Sequence, residues 1–205
     1  MSLFITFEGE EGSGKSSQAE ELYKWLSTQD IPVILTHEPG GTELGERISD
    51  LVKWAQGTDI SPTTELMLFN ASRAQLVREV IRPALGEGKA VICDRFDDST
   101  TTYQSYGREL DLETVKKINT TATGGLRPDL TVLLDLSIED GLARKSGEKL
   151  DRFEQEDIEF HRKVREGYLK LANEEPERWL VIDALQPREV ISQVIRERVS
   201  TLLPA

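Results

Sequence analysis

The sequence predicts an α/β fold: three layers, α/β/α, around a five-stranded parallel sheet. Three observations carry this. Five short apolar segments recur along the 205 residues and alternate with longer segments of helical periodicity. The first strand-to-helix junction is Gly9-Glu10-Glu11-Gly12-Ser13-Gly14-Lys15-Ser16, which matches G-x-x-x-x-G-K-[ST]. No internal repeat, low-complexity tract or linker divides the chain, so one domain over 1–205 is expected.

Leu3-Phe4-Ile5-Thr6-Phe7 is the first strand, apolar and β-branched or aromatic. In the loop that follows, glycines let the chain turn sharply around an anion and bring backbone N–H groups to it, and the next helix adds its dipole. Lys15 is placed to reach the β- and γ-phosphates of a nucleoside triphosphate, and the Ser16 hydroxyl to ligate Mg²⁺. The plain alternative is a glycine turn with an idle lysine. Residues 17–29 form the helix, with Ala19, Leu22 and Leu26 at helical spacing. Asp30-Ile31-Pro32 breaks it, and Val33-Ile34-Leu35-Thr36 is the second strand. His37-Glu38-Pro39-Gly40-Gly41-Thr42 follows a strand's C-terminal end, where ligands of open α/β sheets gather. Thr42 caps a helix to about Trp54.

Residues 63–87 read as one long helix, bent in its last part by Pro83. Phe69 and Arg73 are four apart and share a face. They offer an aromatic plane and a guanidinium to a base; alternatively Phe69 is core and Arg73 a surface charge. Ala90-Val91-Ile92-Cys93-Asp94 is the third strand. Asp94 at its end can hold Mg²⁺ through water, with Arg95 in the same cleft, or the two close the strand as an ordinary pair. Asp98 to Tyr106 is hydroxyl-rich and opens a short helix; it can read a sugar or base edge, or form a solvated turn. Residues 111–123 are a helix ended by Gly124-Gly125.

Leu130 to Asp135 is the fourth strand, and Asp135 is a second acid for the metal or a cap for the next element. Residues 138–145 form a short helix. Residues 144–152 then pack Arg144, Lys145, Lys149 and Arg152 into an acidic chain. Mobile cations that close over a transferred phosphoryl group lower its barrier, so this is a lid candidate, against a charged surface loop. A long helix runs from Phe153 to Asn173, with Phe160, Val164 and Leu171 on one stripe. His161 sits among charged residues and is expected to be solvated. Trp179 to Asp183 is the fifth strand, and Pro187 to Leu203 the last helix.

The net charge of −12 argues against nucleic acid as a partner, while a local basic site for a small phosphate ligand stays open. Cys93, the only cysteine, cannot form an intrachain disulfide and is expected in the core. No signal-peptide pattern precedes the first strand, and no apolar run approaches 18 residues. A cytoplasmic location and no membrane partner are the expectations.

These motifs together resemble the thymidylate kinase family, bacterial and archaeal type, a branch of the P-loop nucleoside monophosphate kinases. Besides Gly9 to Ser16, with Glu11 two places after the first glycine, the resemblance rests on Glu38-Pro39-Gly40-Gly41-Thr42 and on the Glu65 to Arg73 helix. It also rests on Asp94-Arg95-Phe96-Asp97-Asp98-Ser99-Thr100-Thr101-Thr102-Tyr103-Gln104 and on Leu150-Asp151-Arg152-Phe153-Glu154. The resemblance implies transfer of the ATP γ-phosphate to dTMP with Mg²⁺. Lys15 and Arg95, with lid cations drawn from Lys145, Lys149 and Arg152, would then be catalytic. ATP would lie on Gly9, Glu10, Glu11, Gly12, Ser13, Gly14, Lys15, Ser16 and Ser17, with Arg144 against adenine. Ser16 and Asp94 would serve the metal. The dTMP would meet Glu11, Glu38, Pro39 and Ser99; Arg95 would hold its phosphate, Phe69 stack on thymine, Arg73 and Gln104 contact its polar edge, and Tyr103 underlie the sugar. A homodimer is also implied. Thr102 departs from the family's usual alanine, and the middle of the lid carries lysines, point charges rather than forks. A kinase for another nucleoside monophosphate, or a P-loop switch, are the alternatives.

Overall fold

The computed structural model describes residues 2–54, 59–144 and 150–203. Five strands, β1 (Leu3–Glu8), β2 (Val33–His37), β3 (Ala90–Asp94), β4 (Leu130–Asp135) and β5 (Trp179–Asp183), form one sheet in the order β2-β3-β1-β4-β5. All pairings are parallel, and the register sets His37 beside Asp94, Asp94 beside Phe7 and Asp135 beside Asp183. The carboxyl ends of the strands therefore share one edge. The order reverses around β1, so a crevice opens at that edge where β1 and β3 deliver their loops.

Alternation along the strands explains the layers. Leu3, Ile5 and Phe7 of β1 join Leu130, Val132 and Leu134 of β4 on one face, under α1 (Lys15–Thr28) and α9 (Arg188–Ser200). Phe4, Val91 and Cys93 face the other way, against Leu76, Val77 and Ile81. Leu133 and Trp179 continue that second face beneath Phe160, Val164, Tyr168 and Leu171 of α8 (Ile158–Glu174). The three-layer α/β/α expectation and the core position of Cys93 both hold.

Local chemistry sets the remaining boundaries. Thr42 Oγ1 accepts the Gly45 N–H at 3.0 Å and opens α2 (Glu43–Trp54). Ser61 caps α3 (Pro62–Leu76), with Pro62 in the first turn, where its missing N–H costs nothing. The long helix is irregular earlier than Pro83 alone suggested: a π-helical turn, Val77–Ile81, separates α3 from α4 (Arg82–Gly86). Pro83 has no N–H to give Glu79, and widening the preceding turn accommodates its ring. α5 (Asp97–Thr100) runs into a second π-helical segment, Thr101–Gly107, and this hydroxyl-rich stretch is no solvated turn, because Thr102 and Gln104 are 0% exposed. α6 (Leu112–Thr123) is capped by Asp111 and closed by Gly124 at φ 58°. α7 (Ile138–Arg144) follows β4. The last long helix before β5 starts at Ile158, not Phe153. Asp151 draws the N–H groups of Phe153 and Glu154 into a separate turn, and Asp157 provides the cap by accepting the Phe160 N–H at 2.8 Å. Among the described residues, no helix is long and apolar enough to cross a membrane.

Candidate active site

The phosphate loop is shaped by its glycines. Gly9, Gly12 and Gly14 have φ of 134°, 74° and 93°. A Cβ on Gly9 would lie 2.4 Å from the Leu134 carbonyl oxygen, so only glycine lets the loop lie against the end of β4. Lys15 opens α1 and folds back to donate from Nζ to the Glu10 carbonyl at 2.8 Å. Burial lowers its pKa, and the Arg95 cation lowers it further. An anion in the loop relieves both effects, so the site is built to receive negative charge.

Two oxygens sit at the mouth of this loop. Ser16 Oγ donates to Asp94 Oδ2 at 2.5 Å, joining the start of α1 to the end of β3. Hard oxygen donors in this number suit Mg²⁺, which keeps water and substrate oxygens for its other positions. Among the described residues, no cluster of three or more His, Cys, Asp or Glu side chains offers a self-sufficient metal site. Any metal here would be held jointly with phosphate oxygens.

Beside them stands Arg95, in a left-handed backbone conformation at φ 68°. Its guanidinium donates to Ser99 Oγ at 3.1 Å and Tyr168 OH at 3.3 Å, pairs with Glu11, and lies 5.4 Å from the Tyr103 ring centre. Beyond Tyr103 the cleft becomes aromatic: Phe69 packs 5.5 Å from Phe153, and Tyr103 meets Phe153 and Phe160 edge-on at 6.0 Å. A single cleft of about 1180 Å³ runs from Lys15 and Ser16 past Asp94 and Arg95 to Phe69 and Gln104. Glu38, Pro39, Ser99 and Tyr103 also line it.

Arg73 is no surface charge. It is 1% exposed, and its Nε lies 2.7 and 3.0 Å from the two Glu38 carboxylate oxygens. Its other N–H groups go to Asn70, Asn119, the Phe96 carbonyl and Thr100, at 3.3, 3.0, 3.3 and 2.5 Å. Arg73 thus ties α3 to the Glu38 loop and to α5 and α6. Gln104 donates from Nε2 to Glu65 at 2.7 Å.

The cations of the expected lid divide. Arg144 lies on the phosphate loop, donating to the Gly12 carbonyl at 3.1 Å and to Ala184 at 3.0 Å. Arg152 is held elsewhere, by Glu65 at 2.5 Å and the Val52 carbonyl at 3.0 Å, and the structure does not bring it to Lys15. Lys145 and Lys149, and with them the middle of the expected lid, lie outside the described residues.

The model of the thymidylate kinase family matches residues 7–195. The chain belongs to the thymidylate kinase family. A thymidylate kinase of Dehalococcoides mccartyi (strain ATCC BAA-2100 / JCM 16839 / KCTC 5957 / BAV1) is 52% identical over 99% of this chain and 98% of its own. One from Roseiflexus castenholzii is 50% identical, covering 95% of this chain and 91% of its own. The crystal structure of thymidylate kinase from Ehrlichia chaffeensis superposes with a TM-score of 0.80 at 34% identity, over 97% of this chain and 98% of that one.

Within this thymidylate kinase family member, several polar residues lie where sequence reasoning did not put them. Glu8 is fully buried at the end of β1, accepting from the Phe96 N–H at 2.8 Å, Ser99 Oγ at 2.6 Å and Tyr168 OH at 2.9 Å. Burial, then the Asp98 charge, push its pKa up to about 7. Its signal was a carboxylate closing an apolar strand directly before the loop; that of Tyr168 was its place four residues after Val164 on the buried stripe of α8. Asp135 is not among the residues that line the cleft, and it is Ser137 rather than Asp135 that accepts from the first turn of α7. Arg165 of α8 takes both Asp135 oxygens, at 2.7 and 2.9 Å.

His161 corrects an expectation outright: it is 4% exposed, with Nδ1 3.4 Å from Glu10 Oε2 behind the phosphate loop. Its charged neighbours in sequence lie on other sides of the helix. Burial opposes the imidazolium, but the Glu10 hydrogen bond and charge outweigh it and raise the pKa above the usual 6.5. A raised histidine pKa contributes stability that is full below 6.5 and fades as pH rises through the folded value. Replacing His161 with leucine is therefore expected to lower unfolding free energy by about 1–3 kcal/mol near pH 6 and by less at pH 9. Urea unfolding at the two pH values checks this; an equal loss at both contradicts it.

Proposed function

We propose that this chain is a dTMP kinase that transfers the γ-phosphate of ATP to dTMP, giving ADP and dTDP. One observation carries the reading: a continuous cleft joins the phosphate loop and the Ser16–Asp94 pair to Arg95 and then to the aromatic pocket of Phe69 and Gln104. Its two ends suit a triphosphate and a nucleoside monophosphate, with the acceptor phosphate at Arg95.

Lys15 and the backbone N–H groups from Gly9 to Ser17 hold the ATP phosphates. Ser16 and Asp94 would hold Mg²⁺, which would supply charge neutralisation to the transferring phosphoryl group. Arg95, already braced by Glu11, Ser99 and Tyr168, grips the dTMP phosphate and aims one of its oxygens at the γ-phosphorus. The new P–O bond forms as the bond to the β-phosphate bridging oxygen breaks, and ADP leaves. The attacking oxygen is already anionic, so no base and no covalent enzyme intermediate are needed; alignment, charge neutralisation and exclusion of water remain for the protein. Lys145 and Lys149 are the lid cations assigned to the transferred group, while Arg144, on the Gly12 carbonyl, is placed for the adenine side. Phe69 stacks on thymine, and Tyr103 fills the space a ribose 2′-hydroxyl would need. The Gln104 Oε1, buried and without a partner among the described residues, accepts the thymine N3–H. The Arg73–Glu38 pair holds the wall beside the base.

We further assign the enzyme to the cytoplasm as a homodimer. Exposed Leu44 and Leu51 of α2 and Met67 of the neighbouring α3 fit a self-association face. Turnover of dTMP, dUMP, UMP, CMP and AMP in parallel tests the acceptor: dTMP is expected to lead, and faster turnover of any ribonucleotide refutes the assignment.

A further inference from the structure

Glu65 is a carboxylate with 0% exposure in α3, and it is a hub. Its Oε1 accepts from Gln104 Nε2 at 2.7 Å and lies 3.3 Å from Arg108 Nε. Its Oε2 lies 3.4 Å from Arg108 Nη2 and 2.5 Å from Arg152 Nη2. Arg108 and Arg152 also lie over the Phe153 ring, at 5.9 and 4.7 Å from its centre. Four N–H groups thus converge on two oxygens that only accept.

This arrangement decides a question that a glutamine alone leaves open. A carboxamide presents an acceptor or two donors, depending on a half-turn of its last bond. Gln104 is 0% exposed, so water does not mediate between the two choices. A carboxylate flanked by guanidinium groups admits only the NH₂ end. The Gln104 oxygen is left facing the other way, without a partner among the described residues, on a side chain that lines the cleft. Thymine and uracil offer a donor at N3; cytosine offers an acceptor there.

We propose that Glu65 is a specificity-determining positioning residue: by locking the Gln104 amide with its oxygen toward the base, it selects a pyrimidine with an N3–H and rejects one with a bare N3. This rests on the reading that Gln104 meets the base edge. Glu65 touches no substrate; it acts through Gln104. The same carboxylate holds Arg152, so that cation and the base-reading amide share one support.

The test is Glu65→Gln, assayed with dTMP, dUMP and dCMP. Arg152, at 2.5 Å, retains the one remaining oxygen, so the new NH₂ group turns toward Gln104 and drives its amide to flip. The flipped amide donates into the cleft. The ratio of kcat/KM for dTMP over dCMP is expected to fall by about 10–100-fold, as for a donor reversed at a base edge. The dTMP over dUMP ratio stays as in the wild type, because the two bases share the N3–H edge. Ratios measured on one preparation do not depend on the fraction that is folded. An unchanged dTMP/dCMP ratio, or an equal fall for all three acceptors, overturns the proposal, since a merely structural role moves the rates together.

Gln104→Met separates this from the underlying reading. If the dTMP/dCMP ratio survives that change, Gln104 does not read the base, and the acceptor-site assignment fails before Glu65 is at issue. Should Glu65→Gln yield no folded protein, neutron diffraction of wild-type crystals with dTMP reads the amide directly. Nitrogen toward Glu65 supports the proposal, and nitrogen toward thymine overturns it.

Discussion

Replacing Lys15 with methionine is expected to lower kcat/KM by at least about 10²–10³-fold, the loss typical of one preorganised donor removed from developing charge. The fall should appear in kcat as well as in ATP binding, because the transferred group carries its charge most openly at the transition state. The same change is expected to leave the ligand-free protein at least as stable as the wild type. Lys15 is buried beside the Arg95 cation, and both effects depress its pKa. A lysine with a depressed folded pKa binds its proton less tightly in the native state than in the unfolded one. It therefore costs stability at neutral pH, and the cost disappears as pH rises past the unfolded value near 10.5. Thermal unfolding at pH 7 without nucleotide, alongside steady-state kinetics, checks both halves. A destabilised and inactive variant would mean that Lys15 supports the fold rather than the reaction.

The second large effect concerns stability first. Arg73→Met removes the cation that faces Glu38 in a site where both side chains are nearly inaccessible. Breaking a buried pair from one side leaves an uncompensated charge, and about 3–5 kcal/mol of unfolding free energy is expected to go. Burial already raises the Glu38 pKa, and Arg73 is what restrains it. Without Arg73 the folded pKa rises further. A carboxyl with a raised folded pKa loses stability as pH climbs above its unfolded value of 4.5, so the deficit should grow between pH 5 and pH 8. Urea unfolding across that range measures it. The double change Glu38→Gln with Arg73→Met should recover part of the loss, because no bare charge remains. A pH-independent loss, or no recovery, contradicts the account. Activity falls as well, since Arg73 joins the Glu38 loop to α5, which sets Ser99 and the start of the Gln104 segment.

Much of this was readable from residue order. The strands were legible because each is a short apolar run bounded by polar or glycine-rich loops, and the phosphate loop because its glycines and Lys15 have one geometric use. Boundaries failed where a side chain intervened. Asp151 and Asp157 divide a stretch whose apolar periodicity runs straight through, and π-helical turns at Val77 and Thr101 leave no mark in a pattern of 3.6. The site was legible for residues that act alone. It was not for those whose role depends on a distant partner. His161 looks solvated beside its sequence neighbours, yet Glu10 is 151 positions away; Glu65 looks like an ordinary first-turn acid until Gln104 and Arg108 arrive from one other segment and Arg152 from a second. Arg152 was legible as a cation but not as one already committed to Glu65.

The central claim is that the phosphate loop and the aromatic pocket are two ends of one reaction site. Its most direct test is ADP release with ATP and Mg²⁺, with and without dTMP. A rate that depends strongly on dTMP, with dTDP formed mole for mole with ADP, is the expected result. ADP release indifferent to dTMP would leave the phosphate loop in place but remove the acceptor assignment, and with it the roles given to Phe69, Arg73, Arg95 and Gln104.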